Sequence, residues 1–79
     1  MSLEDLCRRE VSRIARYDYG YRQVIVGEPI PSGMVRGRYV RYRVPVTVIG
    51  RMGARYDETV YECVVDEYSG RVIRIRKTG

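Results

Sequence analysis

The chain of 79 residues contains no histidine, asparagine, tryptophan or phenylalanine, and Gln23 is its only side-chain amide. Without histidine, the Ser-His and Cys-His pairs that activate nucleophiles cannot form. The Gly-x-Gly-x-x-Gly and Gly-x-x-x-x-Gly-Lys-Ser/Thr loops that cradle phosphates are also absent. No apolar run is long enough to span a membrane, and no signal-peptide pattern opens the chain. These absences predict a protein that is not an enzyme, binds no cofactor, has no membrane partner and resides in the cytoplasm.

Cysteine is scarce, since only Cys7 and Cys63 are present and 56 positions separate them. A zinc site usually needs four Cys or His ligands at short spacings, so these two residues predict no metal site. Two buried, reduced thiols are the favoured interpretation. A disulfide is the alternative, because intracellular proteins of hyperthermophiles carry them. Dense charge with few thermolabile residues is typical of thermophilic proteins.

Charged residues make up 32% of the chain and hydrophobic residues 44%, which are proportions typical of a globular protein. At this length we expect a single domain over residues 1–79. Fourteen arginines accompany one lysine, Lys77, and the net charge is +5. The planar head of arginine presents several donors that match phosphate and carboxylate. The composition therefore favours an anionic partner, although a surface covered with ion pairs would have the same balance.

Residues 38–66 organise the rest of the chain, because they contain two alternating runs joined by the glycine-bounded loop Gly50–Gly53. The first run has an apolar face of Val40, Tyr42, Val44, Val46 and Val48 and a polar face of Tyr39, Arg41, Arg43 and Thr47. Two registers of the second run fit the loop. The favoured register turns three alternate residues inward: Tyr61, Cys63 and Val65. It is favoured because it keeps Glu62 in water.

An amphipathic helix is predicted over about residues 3–17. Ser2 and the acid three positions later match the pattern that caps a helix start, and Gly20 offers a left-handed stop. The apolar residues at helical spacing are Leu3, Leu6, Cys7, Val11, Ile14 and Ala15. Glu10 falls within this apolar arc, where it either extends to solvent or pairs with an arginine; a catalytic role is the weaker interpretation.

Further strands lie on either side of the hairpin. One lies within Tyr21–Gly27, after which the prolines of residues 28–33 break the ladder until Met34 or Val35. The last strand, residues 71–77, has Ile73 and Ile75 on one side and Arg74 and Arg76 on the other. The prediction is an α+β fold, with one N-terminal helix packed on a four-stranded antiparallel meander sheet. The predicted core contains Leu6, Ile14, Val44, Val46, Tyr61 and Ile73.

The segment from Tyr61 to Ile75 reads Tyr-Glu-Cys-Val-Val-Asp-Glu-Tyr-Ser-Gly-Arg-Val-Ile-Arg-Ile. It resembles the closing hairpin of PepSY-type domains, where a strand ending in Val-Asp, a Ser/Thr-Gly turn and a Val-Ile/Leu strand recur. The resemblance covers about a fifth of the chain. It implies a cystatin-like layout with a helix on a curved sheet. It also implies an inhibitory or regulatory module that sits outside the cytoplasmic membrane or beside peptidases.

The outer face of the predicted sheet carries the candidate binding residues, which are Tyr39, Arg41, Arg43, Arg74 and Arg76. Arginines at strand spacing reach phosphates and tyrosine stacks on a base, so the nucleic-acid backbone is the first candidate partner. The alternative is a cross-strand ladder in which Glu62 and Glu58 neutralise the neighbouring arginines. Both interpretations remain open at this point.

A protein partner or a second copy of the chain is the other candidate. An exposed edge strand invites pairing, and Val60 and Val64 are expected to form an apolar strip on the outer face. The adjacent acids Asp57-Glu58 and Asp66-Glu67 are interpreted as solvated turn residues, because neighbours along a strand face opposite ways. The function predicted from the sequence is that of a small basic binding module.

Overall fold

A computed structural model of the protein describes residues 2–20, 23–50 and 56–78. One helix precedes five strands: α1 (Leu3–Tyr19), β1 (Gln23–Val26), β2 (Ile30–Val35), β3 (Tyr39–Ile49), β4 (Tyr56–Asp66) and β5 (Arg71–Lys77). Strands β3, β4 and β5 form an antiparallel meander, and both β1 and β2 pair with β3. The predicted α+β fold is therefore confirmed. No helix among the described residues has the length and apolar character needed to cross a membrane.

Strand β1 corresponds to the strand predicted within Tyr21–Gly27, whereas β2 begins before the predicted restart at Met34 or Val35, and both lie along the same edge of β3. The N–H of Gly27 donates to the carbonyl of Pro45 at 2.8 Å. Pro45 therefore faces the gap between β1 and β2, and its missing N–H removes no bond between β3 and β4. A Cβ at Gly27 would lie 3.0 Å from Cγ of Pro45, so a larger residue here would crowd the proline ring.

The prediction that residues 28–33 break the ladder is wrong. Strand β2 begins at Ile30 and includes Pro31, and its pairing with β3 continues past an irregularity between Pro31 and Met34. Proline is tolerated here because β2 is an edge strand, where a missing N–H on the outer side breaks no ladder bond.

Helix α1 begins and ends at the predicted caps. The hydroxyl of Ser2 accepts a hydrogen bond from the N–H of Asp5 at 3.1 Å. Gly20 has a φ of 62°, and its N–H donates to the carbonyl of Arg16 at 3.0 Å. The helix extends to Tyr19, two residues beyond the predicted end at residue 17.

The core lies between α1 and the inner face of the sheet. Its buried residues are Cys7, Val11, Ala15, Tyr42, Val44, Val46, Val48, Tyr61, Cys63 and Val65. Leu6 and Ile14 pack against this cluster and are partly buried. The favoured register is confirmed, since Val44 lies opposite Tyr61. The loop predicted at Gly50–Gly53 falls largely outside the described residues.

Ile73 is not a core residue, so this part of the prediction is wrong. Its side chain is 55% exposed. The pairing of β5 with β4 shifts by one residue at this point, and Arg74 and Val72 lie opposite consecutive residues of β4. The resulting bulge leaves Ile73 without a partner and turns Val72 inward together with Ile75, where both pack against the core.

Cys7 on α1 and Cys63 on β4 form a disulfide with an S–S distance of 2.08 Å, and both residues are fully buried. The favoured interpretation of two reduced thiols is therefore wrong, and the alternative of a disulfide is confirmed. The bond links the helix covalently to a strand in the interior of the sheet.

Two buried tyrosines attach the two ends of α1 to the sheet. The hydroxyl of Tyr42 donates to Oε1 of Glu4 at 3.0 Å, and that of Tyr61 donates to Oδ2 of Asp18 at 2.7 Å. Burial, followed by the bond to Glu4, raises the pKa of Tyr42 to about 12. Burial and the bond to Asp18 raise the pKa of Tyr61 as well.

Candidate functional site

Four of the five predicted site residues surround one carboxylate on the outer face of the sheet. These four arginines belong to two rows of cross-strand neighbours that run over β3, β4 and β5. In each row an arginine on β3 and an arginine on β5 flank one residue of β4, and the rows are Arg43–Glu62–Arg76 and Arg41–Val64–Arg74. These positions alternate with the core residues of the same strands, which is why the four arginines point away from α1. We call Arg41, Arg43, Arg74 and Arg76 the arginine face.

Glu62 lies at the centre of the arginine face and is only 9% exposed. The expectation that the favoured register keeps Glu62 in water is therefore wrong. Its carboxylate lies 2.9 Å from Arg74, 3.5 Å from Arg76 and 3.9 Å from Arg41. Guanidinium groups from both neighbouring strands thus replace the water that an ionised carboxylate would otherwise need.

The arginine face keeps an excess of positive charge, because one carboxylate stands against four guanidinium groups. Arg43 is exposed and forms no ion pair with any described residue. The side chains of the three paired arginines are still 41% to 59% exposed. Each guanidinium has five N–H donors, so the contacts with Glu62 leave donors free for another anion.

A depression of about 310 Å³ lies beside Glu62 and is lined by Ser32, Arg41, Arg43, Glu62 and Thr78. The hydroxyl of Ser32 donates to the carbonyl of Arg41 at 3.2 Å. Nη2 of Arg41 donates in turn to the carbonyl of Ser32 at 3.3 Å. These two bonds fix Arg41 at the rim, where it and Arg43 offer guanidinium donors to an oxyanion.

Tyr39 lies at one end of the arginine face and is half-buried. The guanidinium carbon of Arg38 is 5.4 Å from the centre of its ring and 4.9 Å from that of Tyr68. Arg38 also binds Asp66 through two contacts, of 2.6 Å and 3.3 Å. Its cation is therefore held between two aromatic rings and a carboxylate.

The hydrogen bond from Arg38 lowers the pKa of the Asp66 carboxyl, and the backbone N–H groups of Tyr68 and Ser69 reinforce this shift against the opposing effect of burial. Asp66 is only 6% exposed, so its interpretation as a solvated turn residue is wrong. Sequence reasoning missed Arg38 and Tyr68. The hairpin register could have indicated the ion pair of Arg38, because it places Asp66 opposite Tyr39, the residue after Arg38.

A second cleft, of about 400 Å³, adjoins Tyr39 and is lined by Val35, Arg36, Tyr39, Val64, Ile73 and Arg74. The bulge in β5 places Ile73 in its wall. Tyr39 and Ile73 supply apolar surface, and Arg74 belongs to the arginine face. The cleft can therefore receive a flat apolar group whose charged neighbour contacts that arginine.

The apolar strip expected at Val60 and Val64 is not exposed. Val64 is 5% exposed, and Val60 is half-buried. Arg41 and Arg74 flank Val64 on the adjacent strands, and long arginine stems cover the apolar surface beside them. The prediction of an apolar strip for a partner is therefore wrong.

The remaining candidate groups are Glu10 and the acidic side chains that could bind a metal ion. Oε2 of Glu10 accepts from Arg13 at 2.9 Å, which confirms the interpretation that Glu10 pairs with an arginine. Within residues 2–20, 23–50 and 56–78, no three His, Cys, Asp or Glu side chains are grouped as a metal ion would need.

No protein-family model matches the chain, and comparisons with curated proteins and with solved structures find no match either. The resemblance of residues 61–75 to PepSY-type domains consequently has no independent support or contradiction.

Proposed function

We propose that this protein is a small, non-enzymatic module that binds the nucleic-acid backbone through the arginine face, with Tyr39 beside it. The observation that supports the proposal is the charge imbalance around Glu62, where three half-exposed arginines share one carboxylate and exposed Arg43 lies beside them. An exposed surface with this excess attracts a polyanion, and bound counterions are released from the phosphates.

The spacing of the arginines also supports a backbone contact. Arg41 and Arg43 are two residues apart on β3, so their Cα atoms are separated by about 6.8 Å. Arg43 and Arg76 lie two strands apart, at about 10 Å. Guanidinium groups at such separations can contact neighbouring phosphates without reading a base, so we expect little sequence preference.

Titration of labelled single- and double-stranded oligonucleotides over a series of salt concentrations tests the proposal. Four phosphate contacts predict a slope of about −3.6 for log K against log salt on duplex DNA. The dissociation constant at physiological salt should be roughly 10⁻⁴–10⁻⁶ M, as is usual for non-specific binding. If no binding occurs at tens of micromolar protein in low salt, the proposal is wrong and the arginine face is a solvated, ion-paired surface.

Arg43→Ala is the sharpest variant, because Arg43 forms no ion pair with the described residues and its loss should leave folding intact. It should lower affinity equally for all sequences and flatten the salt slope by about one. Arg9→Ala on α1 is the matched control, since it removes the same charge from the opposite side of the sheet. Tyr39→Ala should matter mainly for single strands, where stacking contributes about 1–3 kcal/mol per base.

The second candidate function is binding of a protein partner, as the PepSY resemblance implies. The observation that favours it is the exposure of Ile30 and Met34 on the edge strand β2, each at 56%. Exposed apolar side chains beside an edge strand suit a protein contact. Association that persists at high salt would favour this candidate, whereas backbone binding to nucleic acid weakens as salt rises.

The proposed location is the cytoplasm. A disulfide such as Cys7–Cys63 is typical of oxidising compartments, but intracellular proteins of hyperthermophiles carry disulfides as well. The dense charge and few thermolabile residues of the chain are also typical of proteins from thermophiles. Alkylation of free thiols in intact cells tests whether the two cysteines are bonded, and cell fractionation tests the compartment.

A further inference from the structure

A groove of about 470 Å³ runs between α1 and the edge strand β1, on the opposite side of the molecule from Glu62. The strand contributes Val24, Ile25 and Val26, and the helix contributes Arg9, Ser12 and Arg16, among others. Ile25 is 48% exposed at this edge. The groove therefore has an aliphatic side formed by a strand and a polar, basic side formed by a helix.

The outer edge of β1 has backbone groups available for pairing. Among the described residues, β1 pairs with β3 alone. The N–H of Gly27 bonds to β3 at the carbonyl of Pro45, and hydrogen bonding alternates along an antiparallel pair. The N–H and C=O groups of Val24 and Val26 consequently point away from β3, toward the groove.

The other two edges are protected against strand addition, whereas β1 is not. Strand β5 carries four positive charges, Arg71, Arg74, Arg76 and Lys77, and β2 contains Pro31 and an irregularity. Strand β1 has the sequence Gln-Val-Ile-Val, with neither charge nor proline. Charges and prolines are the usual protection of edge strands, so β1 is the edge open to a further strand.

The helix side of the groove selects for negative charge. Arg9 and Arg16 are exposed and have no ion pair among the described residues, whereas Arg8 binds Glu28 at 3.0 Å. Arg9 and Arg16 are two helical turns apart, about 10 Å, which corresponds to about three residues of extended chain. Among the described residues of the lining, Asp5 is the only acid and stands against three arginines, so this part of the groove has a net positive charge.

We propose that this groove binds an extended acidic segment of a partner protein. The segment adds to β1 as a further strand, which provides backbone hydrogen bonds, and its carboxylates lie against Arg9 and Arg16, which provide specificity. A second copy of the chain is a poorer occupant. Pairing of two β1 strands about a twofold axis normal to the sheet would bring the same arginines of both copies together.

The test uses fluorescence anisotropy with a short labelled peptide of alternating glutamate and valine. The matched probes are the lysine–valine peptide and the glutamate–valine peptide with an N-methylated backbone, which cannot donate the ladder hydrogen bonds. We expect the acidic peptide to bind and neither matched probe to do so. Equal binding of the N-methylated peptide would overturn the proposal, because it would show attraction by charge without strand addition.

Variants of the protein locate the site. Val24→Pro removes an outward N–H at a position where an edge strand tolerates proline, and it should abolish binding. Arg9→Gln and Arg16→Gln should each weaken binding roughly threefold, as expected for an exposed ion pair. Arg13→Gln, elsewhere on α1, and Arg41→Ala, on the arginine face, should leave binding unchanged. Circular dichroism checks that each variant is folded, and the N-methylated probe keeps the test valid should Val24→Pro not fold.

Two further results would overturn the proposal. One is binding that Arg41→Ala removes and the two helix variants do not, since it would place the peptide on the arginine face. The other is a dimer that Val24→Pro dissolves, since it would make a second copy the occupant. Both are independent of nucleic-acid binding, which the Arg43→Ala titration measures separately.

Discussion

Glu62 is a carboxylate buried on the outer face of a sheet, between arginines of two neighbouring strands. Strand alternation and register predicted that it would point outward among arginines. Its burial was not predictable in the same way, because alternation fixes the direction of a side chain and not how far its neighbours cover it. The guanidinium groups of Arg41, Arg74 and Arg76 contact its carboxylate from the neighbouring strands, and such contacts depend on strand pairing rather than on the local sequence.

Replacing Glu62 by glutamine should change stability and affinity in opposite directions. Removal of the charge leaves Arg41, Arg74 and Arg76 without their shared partner, so the free energy of unfolding should fall by about 1–2 kcal/mol. The same change removes the negative charge from the arginine face, so affinity for oligonucleotides at low salt should rise. Urea unfolding measures the change in stability, and titration of labelled oligonucleotides at low salt measures the change in affinity. A loss of affinity would mean that Glu62 serves mainly to position the arginines.

Tyr42 predicts a loss of stability in alkali. Its pKa is raised from an ordinary value of 10.0 to about 12, first by burial and then by the bond to Glu4. Because the pKa is higher in the folded state, this stabilising contribution is complete below pH 10 and is lost as the pH rises toward 12. Urea unfolding across this range should show the loss. Tyr42→Phe should reduce the dependence, and Tyr17→Phe, at a residue 88% exposed, should leave it unchanged.

At the scale of secondary-structure elements, the helix and the long hairpin were predictable, since each rests on a local pattern. Ser2, Gly20 and the 3.6-residue period define α1, and strict alternation defines β3 and β4. The interruption after Gly27 was predictable from the prolines, but the start of β2 at Ile30 was not, because it depends on pairing with another strand. The bulge at Ile73 was missed for the same reason, since a shift in pairing leaves no mark on the pattern of a short strand.

The bulge in β5 gives a matched pair of substitutions on one strand. Ile75 packs against the core, whereas Ile73 is 55% exposed. Ile75→Ala should lower the free energy of unfolding by about 2 kcal/mol, near the lower end of the range for buried isoleucine, because Ile75 is partly buried. Ile73→Ala should change it by less than about 0.5 kcal/mol, as surface changes do. If urea unfolding shows equal losses of unfolding free energy for the two variants, Ile73 is a core residue after all.

The disulfide between α1 and β4 should dominate the attachment of the helix. Its cysteines are 56 residues apart, and closing a loop of that length restricts the unfolded chain strongly. The double variant Cys7→Ala/Cys63→Ala should lose about 2–4 kcal/mol of unfolding free energy, the typical contribution of a disulfide. Adding reductant to the wild-type protein under unfolding conditions should give a similar loss. No effect of reductant on the wild-type midpoint would contradict the bond.

At the scale of the whole molecule, the positive charge is divided between two surfaces. The arginine face covers one side of the sheet, and Arg9 and Arg16 line the groove beside α1 on the other. A net charge of +5 predicts an anionic partner from composition alone. Composition does not distinguish the two surfaces, because that distinction depends on which strand faces which and on where Glu62 and Glu28 form ion pairs.

The distribution of charge and proline along the sheet edges predicts a monomer. Strand β5 repels a second copy through its four cations, and β2 contains Pro31, which cannot donate a ladder hydrogen bond. Strand β1 is only four residues long, and Arg9 and Arg16 beside it would repel the same residues of a second copy. Sedimentation equilibrium at low salt should therefore give the mass of one chain, 9.2 kDa, up to high concentration. Added salt screens the cations beyond about 10 Å at 0.1 M, so any weak association should grow as salt rises. A dimer that is present at low salt and independent of salt would show that an apolar contact overrides these charges, and the exposed Ile30 and Met34 would then be its first candidates.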